Sequence, residues 1–485
     1  MKKRILVLIL IGALAISLVS GCTSSKKSSS SSTGAMPTIT WFSTKGGFDK
    51  APPDNVILKE IEKQTGVKIN LISPPFASYA EKVALTMASG DLPDVIRITT
   101  IAEWKSYVDQ GAFQSVDGLL KQAPNLQKVI PKEALDLCKV NGKQYAIPVF
   151  TSQHRYNPLV RQDWLDNVGI KTAPVTLTDT YNMLLAFKNG NPNGDGKKVY
   201  GISGRGMLGL YPILGAFGVM APETGYFYND KGVMKPQATN PQAKVALSVL
   251  SQWYAEGLID PEMFTMTNDD QLNQKAYKNQ FGYTNQWWTW ESKAQIEMQK
   301  VNPKAVWARI APPVGPSGLS GTCGTNWVNN LVCVTKSAKN MTAIAKVMDY
   351  YHSDPGMLTP YSGVEGIHWE KRTDGKYYTL PQFDTDAKWI QWYSFFELEP
   401  ALFQIQTPLL QSRLDSLKWN VIPDTKNQKL TDAEVKSGAD LTTLVNTAYW
   451  QIISGQKPIS YFDDFVKAYN AAGGTDWTNQ VNAKK

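Results

Sequence analysis

Apolar and polar positions set two rhythms along this chain. Thr38-Ile-Thr-Trp-Phe42 reads as a strand opening the folded part. The next stretch puts Ile57, Leu58 and Ile61 on one helical face, with Asp54 as cap and Gly66 in the C′ place. Val67-Lys-Ile-Asn-Leu71 alternates as a second strand. Ser78 and Glu81 have capping-box spacing ahead of a helix carrying Tyr79, Val83 and Met87 on one side, which Gly90 stops. Asp94-Val-Ile-Arg-Ile98 is a third strand, and Thr100 with Glu103 is a second capping box before a helix that Gly111 ends. Three strand–helix alternations predict a parallel sheet wrapped by helices. Asn141-Gly142 predicts a type I′ turn in a short hairpin. Helical patterns dominate residues 161–258, broken by a turn-rich stretch at 189–196. Ile310-Ala-Pro-Pro-Val-Gly-Pro316 has the composition of a linker crossing between lobes. Residues 329–335 return to strand character, 337–351 to helix, and 389–466 are mostly helical.

Lys2, Lys3 and Arg4 precede a mostly apolar run from Ile5 to Leu18. At about 14 residues it matches a secretion signal and falls short of the roughly 20 a spanning helix needs. Val19-Ser20-Gly21-Cys22 resembles a bacterial lipobox. That resemblance implies removal of a lipoprotein signal peptide at 1–21, acylation of Cys22 (diacyl or palmitate-bearing) and anchorage of a lipoprotein on the extracellular face of a bacterial, Gram-positive-type cell membrane. An ordinary signal peptide with an incidental cysteine is the alternative. Residues 22–36 are Ser- and Lys-rich and read as a flexible tether.

Residues 22–485 are too many for a single core and predict two or three domains. A hydrophobic fraction of 42% and a charged fraction of 19% belong to a globular protein. The formal charge is +8 and includes Lys2, Lys3 and Arg4, so the mature chain is only modestly basic. Its Lys and Arg are scattered, which gives no reason to invoke nucleic acid. Cys138, Cys323 and Cys333 do not build a disulfide scaffold; Cys323 and Cys333 could pair across a hairpin or stand as buried thiols. His154, His352 and His368 are the only histidines, and no Cys/His cluster has metal-ligand spacing. Aromatic content stands out, with 15 Trp and 21 Tyr.

Four stretches carry a family resemblance: Glu60-Ile-Glu-Lys-Gln-Thr-Gly-Val-Lys-Ile69, Met87-Ala-Ser-Gly-Asp-Leu-Pro-Asp-Val95, Trp253-Tyr-Ala-Glu-Gly-Leu-Ile-Asp-Pro-Glu262 and Gly363-Val-Glu-Gly-Ile-His-Trp369. The chain resembles the extracellular solute-binding proteins, family 1, that serve ABC transporter importers, within a subgroup for aldouronate-type and other oligosaccharides. The resemblance implies an α/β, two-lobed, periplasmic-binding-protein-like (type II) fold with a hinge between lobes. Residues 37–149 and 313–362 would form the N-lobe, and 150–312 and 363–485 the C-lobe, with the helix-rich C-terminal part able to pack across both. It implies sugar binding and carbohydrate transport: a monomer that closes on an oligosaccharide ligand, delivers it to ABC permease subunits in the membrane, and is no enzyme.

A sugar ring offers an apolar face and a rim of hydroxyls, so its site needs flat aromatics and planar polar groups. Gln286-Trp287-Trp288-Thr289-Trp290-Glu291 has that character; extended, it puts Trp288 and Trp290 on one face. Trp41 ends the first strand and Ser43 and Lys45 follow it, where ligands sit in open α/β sheets. Glu365 and Trp369 lie in a Gly-flanked segment suited to lining a cleft. Tyr156 and Asp163 follow the first hinge, with Arg155 and Arg161 beside them. Core packing is the competing reading for each tryptophan.

Asn191-Pro-Asn-Gly-Asp-Gly196 has the start of a calcium loop, which alginate-binding relatives use. Asn191, Asn193 and Asp195 would be the ligands. Val199 and Tyr200 lack the downstream carboxylates, so a plain turn without cofactor is the favoured reading. Two further function classes remain: a binder of a peptide, a polyamine or another non-sugar solute, and a secreted glycoside hydrolase. The hydrolase would need two paired carboxylates from Glu365, Asp384, Asp386, Glu397 and Glu399, which no local motif pairs.

Overall fold

A computed structural model describes residues 36–43, 55–75, 78–150, 156–266, 268–287, 290–323, 328–387, 405–406, 410–419, 421–422 and 431–483. The signal segment, Cys22, the tether, Lys45, Arg155, Trp288, Glu397 and Glu399 lie outside these residues, as does the side chain of Asp386.

The alternation read in the first hundred residues forms three parallel strands and their helices. β1 (Thr38–Phe42), β2 (Lys68–Ile72) and β3 (Val95–Ile98) are parallel, with β1 in the centre. Helix α1 (Val56–Thr65) buries Ile57, Leu58 and Ile61, as their spacing predicts. Its cap is Asn55, one residue beyond the expected Asp54: Asn55 Oδ1 accepts from the Ile57 and Leu58 amides. Gly66, at φ 67°, ends the helix in the left-handed conformation. Helix α2 (Tyr79–Ser89) starts without a side-chain cap, because Ser78 turns its hydroxyl to the Pro75 carbonyl. Helix α3 (Ile101–Asp109) is capped by Thr100, whose Oγ1 accepts from the Glu103 amide. Asn141 and Gly142 both take positive φ in a tight turn between Lys139–Val140 and Lys143–Gln144.

The Gly90-Asp-Leu-Pro-Asp94 stretch is a structural clamp. Asp94 Oδ2 accepts from the Thr40 amide at 2.7 Å, tying β3 to β1. The Asp94 carbonyl accepts from the Thr335 amide, and the Pro93 carbonyl from the Thr335 hydroxyl.

β4 (Ile147–Phe150) closes one side of this sheet, and β5 (Tyr156–Arg161) begins another. The second sheet is completed by β6 (Tyr200–Ile202), β7 (Phe281–Trp287) and β8 (Trp307–Arg309), in the order β8-β5-β7-β6. β7 runs antiparallel to β5 and parallel to β6. The chain then returns as β9 (Val328–Val334), antiparallel between β3 and β4, giving the first sheet the order β2-β1-β3-β9-β4.

Two large buried clusters follow. The first gathers Ile39 to Val149 with Leu331 to Trp369. The second gathers Val160 to Ile310 with the C-terminal helices α10 (Asp432–Ile453), α11 (Tyr461–Tyr469) and α12 (Thr475–Ala483). Earlier helices are α4 (Leu177–Asn189), α5 (Pro241–Ala255), α6 (Asp269–Tyr277) and α7 (Trp290–Gln299) on the second side, and α8 (Met341–Tyr351) and α9 (Asp354–Ser362) on the first. The Pro-rich stretch after β8 is held by the second side: the Val314 amide donates to the Val175 carbonyl, and the Leu177 amide to that of Val314.

Cys333 is a free, fully buried thiol in the first core, as is Cys138. A Cys323–Cys333 bridge is therefore not made. Thr322–Cys323 pairs with Val421–Ile422, away from the sheet that holds Cys333. Burial pushes both Cys138 and Cys333 thiols well above the ordinary cysteine range.

His352 ends α8 inside the first core. Burial pulls its imidazole down to about 4, against smaller upward pulls from the Met348 carbonyl and Asp349. A folded-state value below the ordinary 6.5 means neutral His352 contributes stability in full above pH 6.5, lost as pH falls towards 4. That contribution is up to about 3 kcal/mol. Urea unfolding at pH 7.5 and 4.5 should show a smaller acid loss for His352→Gln than for the wild type. Equal losses would assign the acid sensitivity to other groups.

Candidate functional site at the strand ends

In open α/β sheets, ligands gather beyond the carboxyl ends of strands. On the first sheet those ends are Phe42–Ser43, Ile72–Ser73 and Ile98, held in register by the Ser43 amide donating to the Ile72 carbonyl at 3.0 Å. On the second they are Gln286–Trp287 of β7 and Ile202–Ser203 of β6, beside the amino end of β5.

β7 is out of pattern for a buried strand. Thr284, Asn285 and Gln286 are polar, consecutive and each no more than 1% exposed. Among the described residues, the Thr284 hydroxyl, Asn285 Oδ1 and both ends of the Gln286 amide have no hydrogen-bond partner. The Tyr283 hydroxyl shares this state, and burial pushes it well above its ordinary range. Asn285 is anchored by its other end, with Nδ2 donating to the Leu208 carbonyl. At the first sheet's edge the hydroxyls of Ser43 and Ser73 are likewise buried without a partner. Next to Gln286, Trp287 faces Tyr156 across the ladder, their rings edge to face at 5.6 Å.

The residues expected at a ligand separate into two groups. Ser43 and Tyr156 sit at the strand ends just described. Trp290, Trp369 and Trp41 are buried, as the competing core reading has it, and Asp163 is engaged within its own lobe. Both Asp163 oxygens hold the fully buried Arg161, at 2.8 and 2.6 Å, while Asn279 accepts a third guanidinium bond. Arg161 also lies over Trp164 and Trp307. Trp290 packs edge to face on Trp307 and donates to Asn273 Oδ1 at 2.7 Å. Trp41 is fully buried between Leu71 and Val95 of the neighbouring strands.

Trp369 belongs to the first core and donates from Nε1 to the Gly363 carbonyl. Gly363 has φ 83° and ψ −152°, a conformation essentially confined to glycine, and a Cβ there would lie 2.4 Å from His368 Nδ1. The same His368 nitrogen accepts from the Val364 amide. Glu365 sits exposed at the tip of this tight loop. Asp384 is exposed as well.

The turn at Asn191–Gly196 engages the side-chain oxygens of Asn191 and Asp195 internally, while Asn193 Oδ1 is buried without a partner. Asn191 Oδ1 accepts from the Gly196 amide, Asn193 Nδ2 donates to the Asn279 carbonyl, and Asp195 binds the Lys197 amide with the Lys197 ammonium 3.3 Å away. The Lys197 amide is also the main cause that holds the Asp195 carboxyl below its ordinary range. The loop position that would need a twelfth-place Glu is Ile202, buried in β6. The donor set is poor in charge for calcium. Among the described residues, no three His, Cys, Asp or Glu side chains come together as a metal site.

Gln286 was visible in the sequence only as part of an aromatic-rich segment. The signal that singles it out is an uninterrupted Thr-Asn-Gln run inside a strand that also carries buried Phe281 and Tyr283 and half-buried Trp287.

The architecture is an α/β fold of two lobes, and solved solute-binding proteins share it. Streptococcus pneumoniae FusA, an ABC-transporter substrate-binding protein solved in complex with kestose, superposes with a TM-score of 0.73 at 21% identity over 92% of this chain and 98% of that one. The bacterial extracellular solute-binding protein family matches residues 50–358, and the chain belongs to it. Its members bind a solute and are not enzymes. The lipoprotein LipO of Bacillus subtilis (strain 168) is 27% identical over 496 residues, covering 97% of this chain and 96% of LipO. The polygalacturonan/rhamnogalacturonan-binding protein YtcQ of the same organism is 23% identical over 497 residues, covering 98% and 96%.

Asp163→Ala would leave Arg161 buried beside two indole rings without its counter-charge. Removing one partner of a buried pair costs about 3–5 kcal/mol, so urea unfolding should show a loss of that size. A loss below about 1 kcal/mol, the range of exposed pairs, would show that Arg161 is not held by this pair.

Proposed function

We propose that this chain is the substrate-binding lipoprotein of an ABC importer, capturing an oligosaccharide between its two lobes and passing it to membrane permease subunits. The observation that carries this reading is the run of buried, uncharged, unpartnered polar side chains at the carboxyl end of β7, beside the Tyr156–Trp287 pair. Hydroxyl-rich rings with apolar faces match that combination. FusA in complex with kestose and the polygalacturonan-binding YtcQ support it as relatives whose names carry sugars.

The ligand contacts we assign are Ser43, Tyr156 and the β7 end. We place the first lobe at residues 37–150 and 328–387 and the second at 156–323 and 431–483, following the two cores. Cys22 is the lipidation site, as its lipobox and the lipoprotein name of LipO support, and holds the receptor on the outer face of the cell membrane. Two acyl chains on one cysteine meet the requirement for stable attachment. The receptor acts as a monomer.

Thermal unfolding of the protein lacking residues 1–35 should respond to an oligosaccharide panel. Ligand at about 100 times its Kd adds roughly 2.7 kcal/mol of stability. Silence across neutral and uronic oligosaccharides, with a shift from peptides or polyamines, would overturn the sugar reading. In the full chain, Cys22→Ala should move the protein from the membrane fraction to the medium with its unfolding midpoint unchanged. Retention of the variant in the membrane fraction would defeat the lipid anchor.

A further inference from the structure

We propose that Gln286 reads the captured ligand, through paired hydrogen bonds from its amide to two adjacent hydroxyls of one uncharged sugar ring. This rests on the oligosaccharide reading above and names the kind of ring the site takes.

Gln286 is the penultimate residue of β7, opposite Asn157 on β5. It is 1% exposed, yet neither Nε2 nor Oε1 has a hydrogen-bond partner. An amide shut away from water with both ends unpaired is rare, because its desolvation is uncompensated. Such a group persists where it serves something other than the stability of the chain. The adjoining Thr284 hydroxyl and Asn285 Oδ1 are in the same state, so the feature extends along the strand end and is not one misdirected side chain. The Asn285 amide is pinned by Leu208, which fixes where its free oxygen points.

The chemistry of the partner follows from the groups. An amide offers one acceptor and two donors side by side, which complements two neighbouring hydroxyls, one donating and one accepting. Every unpartnered atom in the run is uncharged. The buried cations of this lobe are already neutralised: Arg161 by Asp163, and Lys275 by Asp260 at 2.8 Å and Glu262 at 3.1 Å. A carboxylate-bearing ring would lose its hydration at the β7 end, where the buried cations of the same lobe are already paired. The Tyr156–Trp287 pair next along the ladder supplies aromatic surface for the ring's C–H face. An ordered water bonded to Gln286 is the competing account, and it predicts no link between the amide and ligand affinity.

The test is Gln286→Leu, measured by thermal unfolding and by calorimetric titration with the neutral oligosaccharide that the wild-type protein binds. Replacing an unpartnered amide by an apolar group of similar size should leave the unliganded midpoint unchanged or raise it. Affinity should fall about 10- to 100-fold, the value of two hydrogen bonds. Gln286→Glu, which keeps the shape but loses the donors, gives a second variant should the first fail to fold; it should show the same affinity loss. Unchanged affinity in a folded variant overturns the proposal, whether the amide is structural or water-bonded. Tighter binding of uronic than of neutral oligosaccharides by the wild type overturns the choice of an uncharged ring while leaving the receptor reading intact. No binding of any sugar by the wild type overturns the receptor reading and this inference with it.

Discussion

The return of β9 to the first sheet is the constraint on which the architecture depends. Three parallel strands and their helices are laid down early, but β3 and β4 have no strand between them until Val328–Val334 arrives. The ladder with β3 and β4 is then locked at its end by Thr335, whose amide and hydroxyl take the Asp94 and Pro93 carbonyls, and by Gln114, whose side chain donates to the Thr335 and Ala338 carbonyls. Everything between β4 and β9 must therefore leave the first sheet and come back to it. Loop-closure entropy grows only with the logarithm of length, so a whole second lobe can be inserted at small added cost. The Gly-Asp-Leu-Pro-Asp segment makes that return possible by presenting the two carbonyls at the right edge.

Several buried charged groups are closely matched inside their lobes. Arg161 has Asp163 and Asn279. Asp260, fully buried, accepts from the Ser203 hydroxyl and pairs with Lys275. Asp349 accepts from the Asn125 and Leu126 amides at the start of a short helix. A chain that satisfies these costly groups leaves Thr284, Asn285 and Gln286 wanting at one strand end. Unsatisfied polar groups reduce stability, so their concentration where open sheets bind ligands reads as stability given up for recognition.

Much of the fold was legible in the sequence because its cues are local. Gly66 and Gly90 take positive φ at helix ends, Asn141-Gly142 makes its turn, and α1 buries the face its spacing predicts. Caps are less legible. Asp54 and Asn55 are chemically equivalent as caps, and the backbone chose the second; Ser78 bonded a local carbonyl instead. The site was harder still, because a tryptophan's exposure is decided by tertiary partners that no window contains. Trp290 meets Trp307 and Asn273, and Trp369 meets a carbonyl six residues upstream whose glycine takes a conformation sequence spacing does not announce. Nothing in the local sequence announces that Arg161, two residues from Asp163, is fully buried and takes both of its carboxylate oxygens. Cys333 and Cys323 are ten positions apart but belong to different sheets.

The two principal cores share no buried residue, and the C-terminal helices join only the second. Moving one lobe relative to the other therefore breaks no close-packed apolar contact within these cores, and the intrinsic preference between arrangements can be small. In such a system a ligand can shift the balance only by its differential contacts with the two arrangements. Groups already satisfied inside a lobe, such as Asp163 or Trp290, have the same partners in every arrangement and cannot contribute. Groups that lack a partner within their own lobe can. On the proposed function, the unpaired side chains at the ends of β1, β2 and β7 are candidates for such contacts.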